Sequence, residues 1–193
     1  MLKKAEIIVT CLMLLLFIKG CGIFDTRSPE PPNNIRSTYL PPTTPEIVLE
    51  NLSFAILEKN SENYLKCFAI SNYKYIPDSK SQLTWGELFI NWNRQSEKNY
   101  LDILISNTNN SSTSALFLDN KNFTLINSDS ATFNAEYIVV FQHRLNFPKS
   151  AVGNITLYLS ADENNLFNIS RWEDFRQNDT DYTWSELKAN FSY

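Results

Sequence analysis

The sequence predicts an α+β domain over residues 45–193, and three features of the amino-acid pattern support this fold class. Apolar residues recur at helical spacing mainly between residues 45 and 105. After Asn107 they alternate with polar residues, which is typical of strands with one buried face. From Thr183 onward the helical pattern returns. Helices and antiparallel hairpins that are segregated along the chain predict helices packed on one sheet.

The first predicted helix begins at Pro45, because proline suits the first helical position and Thr44 is a candidate N-cap. Its predicted apolar face contains Val48, Leu49, Leu52, Ala55 and Ile56. A short second helix is predicted over residues 61–68, capped by Ser61 and Glu62. Its Cys67 is expected to be a small buried core residue.

A short strand is predicted over residues 73–76, and Pro77 ends it. A longer helical stretch then covers residues 84–105. Asn93 is expected to divide this stretch, because asparagine favours the N-cap position. The second part is expected to bury Tyr100, Leu101 and Leu104.

Five strands are predicted in the second half of the chain. They cover residues 114–118, 122–126, 131–143, 151–160 and 166–175. Asp119-Asn120 is assigned to the turn between the first two strands, because both residue types favour turns.

A capping box formed by Thr183 and Glu186 predicts a terminal helix over residues 184–190. Trp184, Leu187 and Phe191 share one face of it. A helix of this length is marginal alone, so we expect this face to be buried against the last strand.

The order of these elements resembles the NTF2-like cone fold, with its opening pattern over residues 50–68 and a long meander rich in Trp and Phe. The resemblance implies a curved antiparallel sheet that wraps a long helix and leaves a cavity. A cystatin-like or lipocalin-type domain is the alternative.

The first twenty residues have the pattern of an export signal. Lys3 and Lys4 precede an apolar run over residues 7–18, which is too short to span a membrane as a helix. The run ends in Ile18-Lys19-Gly20-Cys21, which resembles a lipobox, although Lys19 is unusual at its position. The resemblance implies cleavage between Gly20 and Cys21, diacylglycerol on the Cys21 thiol and usually a third acyl chain such as palmitate. An ordinary secretory signal or an uncleaved anchor are the alternatives.

Residues 21–44 read as a lipidated cysteine followed by a proline-rich tether, because six of the eight prolines lie between Pro29 and Pro45. Their deletion up to residue 40 is expected to remove little of the core. Gly22 stands where an aspartate would signal retention in the inner membrane. The lipobox resemblance therefore implies an outer-membrane anchor, with the domain in the periplasm or at the cell surface.

Removal of residues 1–20 leaves 14 basic and 20 acidic residues and a net charge of about −6. A chain of this net charge has no electrostatic reason to bind nucleic acid, which needs a basic surface, so we expect no nucleic-acid partner. The membrane is then contacted through the lipid rather than through protein charge.

The sequence contains little that indicates catalysis. It has no phosphate-binding loop and no nucleophile-elbow motif, and its one histidine excludes a typical zinc site. We assign no catalytic residue, metal or cofactor. The simplest interpretation of His143 is an exposed residue at the end of a strand. A general base would need a partner that the sequence does not locate.

Aromatic residues suggest a candidate pocket. Trp172, Asp174 and His143 would line it, with Asp174 as the polar group, for a small apolar or sugar-like ligand. In the competing interpretation, Trp172 and Trp184 only clamp the terminal helix to the sheet. The leading expectation is a non-enzymatic envelope lipoprotein that binds a partner protein or small ligand. The alternatives are a lipid-anchored isomerase or hydrolase with a cone pocket, and a structural subunit of an envelope complex.

Overall fold

The computed structural model describes residues 37–192. Its helices are α1 Pro45–Leu57, α2 Ser61–Lys66, α3 Ser79–Ile90, α4 Arg94–Ser106 and α5 Trp184–Asn190. Its strands are β1 Lys74–Ile76, β2 Ala115–Asn127, β3 Ser130–Val140, β4 Ser150–Ala161 and β5 Phe167–Phe175. The predicted signal, the lipobox and residues 21–36 lie outside the described residues. Between residues 37 and 192, no helix is both long and apolar enough to cross a membrane.

All five strands form one sheet in the order β1-β5-β4-β3-β2. Strands β2 to β5 make an antiparallel meander, whereas β1 pairs in parallel with β5. The predicted α+β class, with helices packed on an antiparallel sheet and a short C-terminal helix, is confirmed.

The expected turn at Asp119-Asn120 is wrong, because β2 runs unbroken through it. The pairing register with β3 shifts between Asp119 and Asn122, which marks a bulge or irregularity. Asn120 has a φ of +49°, a left-handed conformation that asparagine tolerates better than most residues. The two strands predicted here are therefore one strand with an irregularity inside it.

Side-chain caps set the starts of α3 and α4. Asn93 accepts hydrogen bonds from the amides of Gln95 and Ser96 and begins α4, as predicted. Tyr100, Leu101 and Leu104 are buried, also as predicted. Asp78 caps α3, which therefore begins at Ser79 rather than at residue 84. At α1 the predicted start at Pro45 is confirmed, but the Thr44 side chain makes no cap hydrogen bond.

Two smaller predictions concern α2. Its N-cap is Asn60, whose side chain accepts from the Asn63 amide, rather than Ser61. Cys67 at its end is buried, which confirms its assignment to the core. Its thiol lies 3.4 Å from the Asn63 carbonyl oxygen.

Helix α5 has the predicted bounds and the predicted capping box. Trp184 is fully buried, and its ring lies edge-on to that of Trp172 on β5, with 4.6 Å between the ring centroids. The predicted packing of this helix on the last strand is confirmed.

The last residues assigned to the tether contact the domain. Leu40 exchanges two hydrogen bonds with the buried Asn51 side chain, at 2.9 and 2.7 Å. The Phe167 amide of β5 donates to the Pro42 carbonyl at 2.7 Å. Contacts with the domain therefore begin before the boundary expected at Pro45.

Candidate functional site: a filled cone and an outer cleft

The interior of the sheet is occupied by side chains of α5. Trp184 and Lys188 point into the core and have no exposed surface, and Trp172 of β5 is equally buried. These residues fill the space between α4, β1 and β5 where the cone resemblance implied a cavity.

An ion pair lies at the centre of this core. Lys188 Nζ is 2.6 Å from Glu97 Oε1, and both side chains are 0% exposed. The same carboxylate accepts hydrogen bonds from Trp92 Nε1 at 2.7 Å, the Tyr73 hydroxyl at 2.7 Å and the Tyr64 hydroxyl at 2.9 Å. Burial lowers the pKa of Lys188 to about 8, although Glu97 counteracts part of this effect. Every polar atom of the pair thus has a partner.

Aromatic rings surround the Lys188 ammonium. Its Nζ lies 3.5 Å from the ring centroid of Tyr75 and 4.2 Å from that of Trp172. The rings of Tyr100 and Trp92 are further away, at 5.6 and 5.7 Å. Ring faces attract a cation, and they do so most strongly where water is absent.

Asp174 holds the N-terminal end of α5. It accepts from the Ser185 amide at 2.7 Å, the Ser185 hydroxyl at 2.5 Å and the Tyr137 hydroxyl at 2.7 Å. Burial raises the pKa of Asp174 above its usual value, and the hydrogen bonds from Ser185 and Tyr137 offset part of that rise. The carboxylate expected to face a ligand is therefore used inside the protein.

A second acid fixes the same helix. The Asp78 carboxylate, buried at the start of α3, accepts from the Thr183 hydroxyl at 2.7 Å. It also accepts from the Ser81 hydroxyl at 2.5 Å. The N-terminus of α5 is thus bonded to both α3 and β5.

His143 is only 3% exposed, so the expectation of an exposed strand end is wrong. The residue lies beyond the end of β3 and pairs with Thr108 across an isolated bridge. Its ring packs edge-on to Phe191, with 4.9 Å between the centroids. Nε2 is 3.0 Å from the Pro148 carbonyl and Nδ1 is 3.2 Å from Lys149 Nζ.

Of the three residues expected to line a pocket, the structure brings two together. Trp172 and Asp174 lie on the same strand and both contact α5, at Trp184 and Ser185. The ring nitrogens of His143 are bonded elsewhere, and its described contacts do not include Asp174. Burial and the Lys149 ammonium lower the pKa of His143, while the Pro148 carbonyl counteracts part of that shift.

The sequence reasoning missed Glu97 and Lys188. A signal was present, since each is a charged residue among the apolar positions of an amphipathic helix. Glu97 precedes the buried Tyr100 and Leu101 by three and four positions, and Lys188 follows Trp184 by four. A charge at such a position indicates a buried partner of opposite sign.

An open cleft lies outside the core. It has a volume of about 670 Å³ and lies between the end of α2, the start of α4 and the β4–β5 hairpin. One wall carries Tyr39, Lys66 and Arg94, and the hairpin contributes Asp162 and Glu163. No group of three His, Cys, Asp or Glu residues that could hold a metal ion occurs in the described part of the chain.

The basic wall of the cleft is held in place by the protein. Arg94 Nε donates to the carbonyl oxygens of Leu65 and Phe68, at 3.2 and 3.3 Å. Lys66 Nζ lies 4.9 Å from the ring centroid of Tyr39. Ile70 lines the cleft and is 86% exposed.

The comparisons with known proteins concern the fold alone. No family model and no curated protein matches the sequence. Solved structures do match. One is a "Putative Scytalone Dehydratase" from Novosphingobium aromaticivorans, at 11% identity and a TM-score of 0.52, with 67% of this chain and 78% of that chain covered.

Two further structures carry the name of the fold. An NTF2-like superfamily protein from Salmonella enterica matches at 13% identity and a TM-score of 0.52, over 69% of this chain and 88% of that chain. A "putative dehydratase from the NTF2-like family" of Streptomyces avermitilis matches at 7% identity and a TM-score of 0.50, over 69% and 93%. The described domain therefore has the NTF2-like fold, with its interior filled by the chain's own C-terminal helix.

Proposed function

We propose that this chain is a bacterial envelope lipoprotein, anchored through lipid on Cys21, whose domain is a non-enzymatic binding module. It takes a small polar ligand or a short segment of a partner protein in the outer cleft. The anchor rests on the lipobox resemblance, and the binding site rests on the geometry of the domain.

The filled interior is the observation that carries the proposal. Catalysis in a cone would need an acid or base that a substrate can reach. Glu97, Asp174 and Asp78 are the buried acids of the described residues, and each is bonded to neighbouring side chains. His143 is bonded on both ring nitrogens. An interior arranged in this way favours a structural role for these residues.

Two of the matched structures are named as dehydratases, but their low identity to this chain supports a common fold and no common activity. A lipid-anchored enzyme remains the alternative only if a substrate enters the space that α5 occupies. The binding hypothesis needs no such movement, because the cleft is already open.

The cleft has the chemistry of a polar binding site. Lys66 and Arg94 present cations, Tyr39 presents an aromatic face, and the exposed Glu163 adds an acid to the lining. Arg94 uses its Nε for the hydrogen bonds to the Leu65 and Phe68 carbonyls, so those bonds do not occupy its two terminal amino groups. These groups favour a ligand that combines an anionic group with a flat or hydroxylated face.

Site-specific photo-crosslinking in intact cells tests this assignment. A photoreactive phenylalanine analogue would replace Ile70 in the cleft or, as a control, Leu83 on α3. The two side chains are 86% and 88% exposed, and Leu83 does not line the cleft. We expect a discrete adduct at residue 70 alone, and its yield should fall when Arg94→Ala is added.

Two results would contradict the assignment of the cleft as the binding site. One is the same adducts at both positions, which would indicate random encounters. The other is an adduct at residue 70 that Arg94→Ala leaves unchanged.

A further inference from the structure

The contacts of the Lys188 ammonium resemble those of a bound ligand. Its Nζ donates to Glu97 Oε1 at 2.6 Å and lies 3.5 Å from the Tyr75 ring centroid and 4.2 Å from that of Trp172. A carboxylate combined with aromatic faces, all closed to solvent, is the arrangement that recognises organic cations.

We call Glu97, Tyr75 and Trp172 the ammonium cage. Its acceptor, the Glu97 carboxylate, is held in position by residues other than Lys188. Trp92 Nε1 and the hydroxyls of Tyr73 and Tyr64 donate to the Glu97 carboxylate at 2.7, 2.7 and 2.9 Å. Three neutral donors thus orient the carboxylate but leave its charge uncompensated. The remaining partner must be a cation with an N–H to donate, because the distance at Oε1 is that of a charged hydrogen bond.

We infer that the cone of this protein is a binding site for a primary alkylammonium ion, and that α5 supplies this ion from within the chain as the side chain of Lys188. The C-terminal helix is then an internal ligand that keeps the site occupied. A free primary amine and Lys188 compete for one place, so the site accepts an added amine only when Lys188 is absent from it.

Helix α5 has other attachments that keep it in place when Lys188 is changed. Ser185 is bonded to Asp174, and Thr183 is bonded to Asp78. The Trp184 ring packs against Trp172. A substitution at residue 188 therefore empties the cage while these bonds at the start of the helix persist.

Chemical rescue of Lys188→Ala tests the inference in the full mature chain. Alanine keeps Cβ, so the missing group corresponds to n-propylammonium. We expect n-propylammonium chloride to raise the Tm of Lys188→Ala by about 5 °C or more at a hundredfold excess over its Kd. The neutral alcohol 1-propanol should give no such rise, and wild type should respond to neither compound.

Two variants identify the site of rescue. Lys188→Met fills the space with an apolar chain, so its Tm should not respond to n-propylammonium. Adding Glu97→Gln to Lys188→Ala removes the charge that binds the cation and should abolish the rescue.

An equal Tm rise in Lys188→Met, or in the variant with Glu97→Gln, would overturn the inference, because the amine would then act elsewhere. If Lys188→Ala does not fold alone, refolding with n-propylammonium should restore its native near-ultraviolet circular dichroism. Failure of the amine to restore that signal, or equal restoration by 1-propanol, would also overturn the inference.

Discussion

Replacing Lys188 with methionine is expected to destabilise the domain strongly. The substitution keeps the apolar stem but removes the 2.6 Å bond to Glu97 and the attraction of the Tyr75 and Trp172 rings. It leaves the Glu97 carboxylate fully buried with neutral donors only. Breaking a buried ion pair on one side typically costs about 3–5 kcal/mol of unfolding free energy, so we expect a loss in that range.

A double-mutant cycle separates the pair from the rest of the core. Glu97→Gln removes the charge but can keep an acceptor oxygen for Trp92 and Tyr73, which both donate to Oε1, while its amide nitrogen would face the Tyr64 hydroxyl. With both residues replaced, no unpaired charge is buried, and the double variant should recover most of the stability. We expect a coupling energy of about 3 kcal/mol or more, measured by urea unfolding followed by tryptophan fluorescence.

The cycle also has a result that would refute this reasoning. If the two single losses add within about 0.5 kcal/mol, the side chains act independently. The buried ion pair would then not be present in solution.

The lowered pKa of Lys188, about 8 in the folded protein against 10.5 for the free side chain, predicts a dependence on pH. Between these values the unfolded chain holds a proton that the folded chain has lost, so folding stability rises with pH. From pH 7.5 to 9.5 the unfolding free energy should rise by about 1–2 kcal/mol. Urea unfolding at both pH values measures this change in unfolding free energy. The Lys188→Met variant should show no such increase. An equal rise in that variant would assign the effect to another group.

Further predictions concern the helix, the tether and the anchor. Trp184→Ala should cost about 3–5 kcal/mol in urea unfolding, and an unchanged midpoint would mean that this side chain is exposed. Thr183→Ala should cost about 2–3 kcal/mol by the same measurement, because it loses both a cap and a bond to a buried carboxylate. Deletion of residues 21–36 should leave the unfolding free energy unchanged. Deletion of residues 21–43 should lower it by about 2–4 kcal/mol, because the hydrogen bonds of Leu40 and Pro42 to the domain are among those lost. Equal stability of the two deletion variants would contradict the observed contacts. Cys21→Ala should move the protein from the membrane fraction to the soluble fraction, and mass spectrometry should detect acyl chains only on the native residue.

The elements predicted best are those with local signals. The capping box at Thr183 and Glu186 and the N-cap at Asn93 each satisfy backbone amides within one turn, so a few neighbouring residues fix the helix start. The Asp78 cap is equally local, but the sequence prediction takes Pro77 only as the end of a strand. The start of α3 was therefore placed too late.

Local sequence signals fail where two kinds of local backbone structure favour the same residue types. Asp119-Asn120 favours a turn, yet asparagine in a left-handed conformation also suits an irregularity within a strand. The continued pairing of β2 with β3 decides between the two. That pairing depends on the sheet as a whole.

The candidate site depended on contacts between distant parts of the chain. Glu97 and Lys188 are separated by 91 positions, so their pairing had no local signature. His143 is buried through contact with Phe191, which comes from the terminal helix region. Asp174 was recognised as a polar group near Trp172, but its partner Ser185 could be found only from the structure.

The central claim is that α5 fills the cone, and tryptophan quenching tests it most directly. In a Trp85→Phe variant, the remaining tryptophans are Trp92, Trp172 and Trp184, all of them buried. We predict that acrylamide quenches this folded variant several-fold less steeply than the same chain unfolded in urea. Quenching in the folded variant that approaches the unfolded slope would show an open interior and would contradict the claim.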